Sequence, residues 1–284
     1  MTAIRLWGRR RLLAAACAVA CVAAPSAALA QDEVPFITTP DNVTLAMLQL
    51  AGVQAQDFVV DLGSGDGRIV ITAARRFGAR GLGVEIVPSL VAQSRNNAIQ
   101  AGVAERVDFR VQDLFLTPLH GATVVTMYLL PEVNLQLRPR LLALPPGTRV
   151  VSHDWDMGDW LPDRSVTLDV PDKATGRDKR STVHLWVVPA PVQGLWCSQG
   201  LSLQIEQRFQ RFSATLAAAG VPAPVMVFDG RIDARTLRAV GATGDPRAEL
   251  EWQGAVLRLT RLAAPGSRHG GSTFTRAGAV DCAP

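Results

Sequence analysis

Cysteine is scarce in this chain: four in 284 residues, with Cys17 and Cys21 inside the first thirty and only Cys197 and Cys282 beyond them. No Cys-x-x-Cys pair occurs, which removes the common zinc-ribbon and dithiol-redox readings. Tyrosine is scarcer still, Tyr128 alone. No apolar run reaches the roughly 20 residues of a membrane-spanning helix; Leu12 to Ala24 is an uninterrupted 13. Net charge is missing too. The formal +4 comes from four arginines in residues 1–30, and the rest carries 25 basic and 25 acidic residues. A balanced chain gives little support for a nucleic-acid groove, so no nucleic-acid partner is expected. No internal repeat is evident.

The first thirty residues read as a targeting segment. Arg5 and Arg9-Arg10-Arg11 form a basic head, the apolar run follows, and Ala28-Leu29-Ala30 supplies small residues for cleavage before Gln31. That is the layout of a secretory signal peptide. Arg9-Arg10-x-Leu12-Leu13 also resembles a twin-arginine export signal. Cleavage predicts a periplasmic or secreted protein, whereas retention would leave it tethered to the inner membrane, the one condition under which membrane contact is expected. In an oxidising compartment Cys197 and Cys282 are expected to pair.

What is present begins at residue 58. Phe58-Val-Val-Asp61-Leu is an apolar strand that runs into Gly63-Ser-Gly65-Asp-Gly67, and a helix is expected from Arg68. Three alternating glycines let a backbone turn tightly and approach a ligand. Gly81 to Ile86 reads as a second buried strand and carries Glu85, about 20 residues past the turn, where a carboxylate can grip ribose hydroxyls. Val107 to Val111 reads as a third strand, followed by Asp113-Leu114-Phe115. The spacing differs from the dinucleotide fingerprint, whose third glycine falls three positions after the second.

Further elements are expected at 41–51 (helix, capped by Asp41 or Asn42), 88–101 (helix), 123–128 (strand), 131–143 (helix) and 148–152 (strand). Ser165–Val170 and Thr182–Val188 would add an antiparallel pair. Such alternation predicts a parallel sheet flanked by helices, here with seven strands. After Pro189-Ala190-Pro191 the period shifts to two, along Ser202–Leu216, Val225–Ile232, Thr236–Val240 and Ala248–Leu259. That is an antiparallel signature. The expected fold class is α/β: a Rossmann-like seven-stranded sheet over residues 31–190, with a small antiparallel β-barrel or sandwich over 191–284. His269, alone in a Gly-rich tail, reads as solvated.

The order Asp61-Leu-Gly63-x-Gly65-x-Gly67 resembles motif I of the class I S-adenosylmethionine-dependent methyltransferases. More specifically, residues 34–160 resemble the lysine methyltransferases related to the mitochondrial enzyme that modifies the ATP synthase c subunit, and their bacterial homologues. The likeness is carried by Pro35-Phe36-Ile37-Thr38-Thr39-Pro40, by Asp61 through Arg68-Ile69-Val70, by Asp113-Leu114 and by Arg149-Val-Val-Ser152. It implies S-adenosylmethionine as cofactor. Thr39 would cover its methionine end, and Asp61, Gly63, Gly65 and Gly67 would cradle it. Glu85 would take the ribose, and Asp113 with Leu114 the adenine. The β domain lies outside the resemblance.

In open α/β sheets the chemistry lies beyond the carboxyl ends of the strands. The fourth strand ends at Tyr128, followed by Pro131-Glu132-Val-Asn134, and departs from the Asp/Asn-Pro-Pro-Tyr motif of many amino-group methyltransferases. The fifth runs into Ser152-His153-Asp154-Trp155-Asp156-Met-Gly-Asp159-Trp160. Tyr128, His153 and Asp154 are the candidate catalytic residues, with Trp155 or Trp160 as walls of an acceptor channel. No metal is expected, since the acids lack EF-hand spacing. The acceptor is expected to be a protein lysine. A small molecule is the alternative, and a non-catalytic exported binding protein is a third reading.

Overall fold

The computed structural model describes residues 37–174, 178–241, 244–263, 270–278 and 282. The targeting segment, the Pro35-Phe36 start of the resemblance and His269 lie outside them.

Helix α1 (Asp41–Leu50) starts behind Pro40, not behind a side-chain cap. Proline holds the extended φ of an N-cap with no N–H to satisfy, and its carbonyl accepts from Thr44 N at 2.8 Å. Asn42, expected as a cap, instead donates to Asp169 O at 3.0 Å. Strand β1 (Phe58–Leu62) is buried over its last four residues. Helix α2 (Arg68–Phe77) is bracketed by two left-handed glycines, Gly67 and Gly78, and buries Ile69, Val70, Ala73 and Ala74. Then come β2 (Arg80–Glu85), α3 (Pro88–Gln100), β3 (Val107–Val111), β4 (Val124–Met127), α4 (Pro131–Leu142) and β5 (Arg149–His153).

With β6 (Arg164–Asp169) and β7 (Arg180–Val187) these form one seven-stranded sheet of order β3-β2-β1-β4-β5-β7-β6. The first five strands run parallel, and β7 is antiparallel to both β5 and β6. Parallel pairing puts the carboxyl ends of β1 to β5 on one edge. At the opposite edge Arg149 donates to Ala51 O at 2.9 Å and pairs with Asp57, bracing the amino ends.

A closed antiparallel barrel of eight strands follows. Its strands are β8 (Gly194–Ser198), β9 (Leu201–Arg208), β10 (Arg211–Ala218), β11 (Met226–Asp233), β12 (Thr236–Val240), β13 (Pro246–Trp252), β14 (Val256–Leu262) and β15 (Thr273–Arg276). Closure is made by β15 on β8, Thr275 opposite Cys197 and Arg276 opposite Trp196. Alternate residues fill the interior: Leu201, Leu203 and Ile205 from β9, Phe212, Ala214 and Leu216 from β10. Closure leaves no free edge for pairing with another chain. Cys197 and Cys282 form a disulfide spanning 85 residues.

Two of the period-two stretches resolve into strand pairs, and one expectation changes. Ser202–Leu216 is a hairpin, turning at Phe209 and Gln210, and Ala248–Leu259 covers two strands, turning near Gly254. Of the two candidate channel walls after β5, Trp155 is exposed but Trp160 is not free. Trp160 is fully buried, stacked on Phe209 of the β9–β10 turn at 6.2 Å, and its carbonyl accepts from Trp186 Nε1 at 2.7 Å. Gln210 Nε2 donates to Leu161 O at 2.6 Å, and Arg231 pairs with Asp163 at 2.6 Å. That segment seats the barrel against the sheet.

Candidate active site

The glycine turn leaves β1 at the carboxyl edge. Gly63 and Gly67 have φ of 76° and 81°, and a Cβ at Gly67 would stand 2.7 Å from the Phe109 ring. Only glycine fits that position. The turn is tied down from outside: Ser94 Oγ donates to Gly65 O at 2.8 Å and Asn97 Nδ2 to Asp66 O at 2.9 Å. Glu85, at the end of β2, accepts from Gly65 N at 3.0 Å, Ile86 N at 2.8 Å and Val87 N at 3.0 Å. Three backbone donors fix its carboxylate beside the turn while leaving lone pairs free.

Asp61 is 2 % exposed, and its Oδ1 accepts from Thr126 Oγ1 at 2.7 Å. Burial pushes its pKa up to about 7, with Asp66 and Glu85 adding repulsion. Among the described residues no basic side chain pairs with it. Asp66 is already taken, pairing with Arg68 at 2.6 Å, and Arg68 Nη1 also donates to Thr39 O at 2.8 Å. Asp113 caps the short 3₁₀ turn Leu114–Leu116, its Oδ1 accepting from Phe115 N at 2.7 Å. The turn therefore combines open backbone, a buried acid without a cation, and two further carboxylates along the edge. That donor set suits a cationic ligand carrying a ribose and an amino-bearing base, and it fits S-adenosylmethionine better than a pyrophosphate.

Beyond β4 and β5 the structure brings Tyr128, His153 and Thr39 together. The Tyr128 and His153 rings lie 3.9 Å apart, and His153 Nδ1 is 3.4 Å from Thr39 Oγ1. His153 Nε2 meets Ser181 Oγ at 2.9 Å. The ring is 1 % exposed, and burial pulls its pKa down to about 4 despite Asp154 nearby. It is a neutral support for Tyr128, with both nitrogens occupied. Asp154 turns away toward β7: its Oδ1 accepts from Thr182 N at 2.9 Å, and its Oδ2 pairs with Lys173 at 2.7 Å.

Sequence reasoning missed the residues that hold this frame. Ser94 and Asn97 sit three apart on α3, a polar pair on a buried face. Asn134, completely buried on α4, donates to Ser152 Oγ at 3.2 Å, Trp155 O at 3.2 Å and Asp156 O at 3.3 Å. Its signal was weak, an amide one turn into a helix. Asp159 pairs with Arg138 and Arg208, and among the described residues no group of three or more His, Cys, Asp or Glu could hold a metal. A cleft of about 590 Å³, lined by Leu119, His120, Arg140, Leu144 and Pro145 among others, opens at the amino ends of the strands. It is on the wrong edge for this chemistry.

Residues 61–164 match the family described as ANTKMT methyltransferase domain. The chain is 40% identical over 157 residues to a protein-lysine N-methyltransferase of Saccharolobus islandicus, covering 55% of this chain and 94% of that one. It is 36% identical to the lysine N-methyltransferase of the ATP synthase c subunit from Xenopus laevis, across 46% of this chain and 56% of the frog protein. The chain thus spans about half the length of that animal relative. A crystal structure described as an RNA methyltransferase from Salinibacter ruber, in complex with S-adenosyl-L-homocysteine, is 53% identical with a TM-score of 0.50, over 55% of this chain and 96% of that one. The family match, residues 61–164, lies within the sheet domain.

Proposed function

We propose a protein-lysine acceptor for this chain, which belongs to the S-adenosylmethionine-dependent methyltransferase family of these relatives. The observation that carries the proposal is the match to a protein-lysine N-methyltransferase over 94% of that protein's length. The enzyme is an S-adenosylmethionine-dependent methyltransferase, and the cofactor supplies an electrophilic methyl group on a sulfonium. Asp61 would balance the ligand's positive charge, Glu85 would hold the ribose, and Asp113 with Leu114 would take the adenine. Tyr128, set by His153, would shape the slot that orients a neutral amine toward the cofactor's methyl group. Alignment is the main task of such a site. Asp154 would receive the proton that an acceptor ammonium must shed, its Oδ2 being the atom that Lys173 occupies.

We take residues 1–30 as an export signal cleaved after Ala30, 31–190 as the catalytic domain and 191–284 as the barrel domain, with the mature enzyme in the periplasm or secreted. The barrel disulfide supports an oxidising compartment.

Mature protein with methyl-labelled S-adenosylmethionine, offered poly-L-lysine in one arm and total RNA in another, tests the acceptor class. Label recovered as methyl-lysine supports the proposal. Label confined to RNA, the acceptor named for the Salinibacter protein, would overturn it.

A further inference from the structure

We propose that the enzyme methylates its own Lys173, whose ammonium is held on Asp154 at the acceptor end of the sheet. The inference rests on the lysine reading above. Lysine is nearly absent: Lys173 and Lys179 are the only two among 29 basic residues. Both lie in the segment joining β6 to β7. Strand register carries that segment to the carboxyl end of β5, because Asp169 pairs with Arg180 and His153 with Val183. The chain's only lysines therefore stand at the edge where methyl transfer takes place.

Lys173 is received there by a small built site. Its Nζ donates to Asp154 Oδ2 at 2.7 Å and to Arg180 O at 2.6 Å, and its side chain is 13% exposed. Asp154 adopts φ 62°, a left-handed conformation costly for a residue other than glycine. Its backbone N donates to Thr182 O at 2.7 Å and its Oδ1 accepts from Thr182 N at 2.9 Å. Those bonds aim Oδ2 at the ammonium. The same Oδ2 is 3.5 Å from His153 Nε2, and His153 lies against Tyr128 and Thr39. A partly buried ion pair adds little net stability compared with apolar packing. Placing one on strained backbone beside the acceptor slot makes sense as recognition of a lysine.

In the step, the Lys173 ammonium gives a proton to Asp154 Oδ2. The freed Nζ lone pair forms the new N–C bond, and the methyl's C–S bond breaks with its electrons going to sulfur, leaving a thioether. Methylation keeps the charge but removes N–H donors, so it loosens the hold on Asp154 and Arg180 O. Lys179 is a different case, exposed and donating to Lys173 O at 2.7 Å.

The test uses the mature protein with S-adenosylmethionine and no other acceptor, followed by peptide mass mapping. Methyl increments on Lys173 are expected, at a rate per molecule independent of protein concentration, since the acceptor is held in cis. K173R should lose them and D154N should slow them. Without cofactor, acetic anhydride should acylate Lys173 severalfold more slowly than Lys179, and at a similar rate in D154N. Methyl groups on Lys179 alone, a rate proportional to protein concentration, or equal acylation of both lysines in the unsubstituted protein would each overturn the inference. A parallel arm with poly-L-lysine separates the failures. Methylated poly-L-lysine beside unmodified Lys173 sinks this inference and leaves the lysine reading standing, whereas no methylation of either removes both.

Discussion

Asp61 is a carboxylate buried without a cation, and its pKa near 7 makes cofactor binding report on its charge. A cationic ligand favours the ionised form, so binding near neutrality releases a proton. Affinity should be flat above about pH 7 and fall below it by up to about tenfold per pH unit. Asp61→Asn should bind weakly with no such slope. Titration calorimetry from about pH 5.5 to about 8.5 measures both, and a flat profile for the unsubstituted protein would remove Asp61 from the role. The stability sign is opposite to that of a paired carboxylate. The folded pKa lies above the ordinary value of 3.8, so the folded state binds the extra proton. Cofactor-free protein should lose stability as pH rises from about 4 through about 7, a loss absent in Asp61→Asn. Glu85→Ala should weaken cofactor binding by about 1–3 kcal/mol, partly by releasing Gly65, and Gly65→Val should abolish it, since Gly65 has φ 52°. Wild-type affinity in both variants would show that the ligand lies elsewhere.

At the scale of elements, the ends of β4 and β5 divide the site into a cofactor half and an acceptor half. Tyr128→Phe should lower turnover by about tenfold or more with cofactor affinity near wild type. A matching loss of cofactor affinity would place Tyr128 in the other half. Strands β1, β2, β4 and β5 were legible as short, mostly buried apolar runs bounded by turn residues, and β3, which buries only Phe109, by its alternation Val-Asp-Phe-Arg-Val. The three acids lie at or just after the ends of β1, β2 and β3. The β9–β10 hairpin was not legible, because its turn uses Phe209 at φ 54° instead of glycine or proline. Strands β8 and β15, of five and four residues, are too short for a period-two pattern to stand out. The residues after β5 were misread for a related reason: sequence shows that aromatic and acidic residues cluster there, but not which ones a distant hairpin covers. Trp160 is covered. Trp160→Ala should therefore cost about 3–5 kcal/mol of stability through the sheet–barrel junction. A change near zero in denaturant unfolding would mean the junction does not depend on its packing.

At the scale of the whole molecule, the disulfide and the cofactor site belong to different parts of one compact unit, residues 37–284. Cys197 stands in β8, the strand that closes the barrel against β15, and its partner Cys282 lies 85 residues on. The glycine turn, Glu85 and Asp113 are all carried by the sheet, with no cysteine among them. Constraint of the unfolded chain is the main way such a bridge stabilises, so its effect should be confined to the barrel. Cys197→Ala with Cys282→Ala, or reduction of the native protein, should lower barrel stability by about 2–4 kcal/mol. S-adenosylmethionine affinity should be unchanged. Protein recovered from its native compartment should begin at Gln31 and contain no free thiol, because Cys17 and Cys21 leave with the signal segment. Intact mass and thiol counting read both at once. An uncleaved amino terminus with Cys197 and Cys282 reduced would overturn the exported assignment and favour a tethered enzyme facing the cytoplasm, where its cofactor is made. A reduced barrel that also lost cofactor affinity would mean that the junction at Trp160 transmits strain into the sheet.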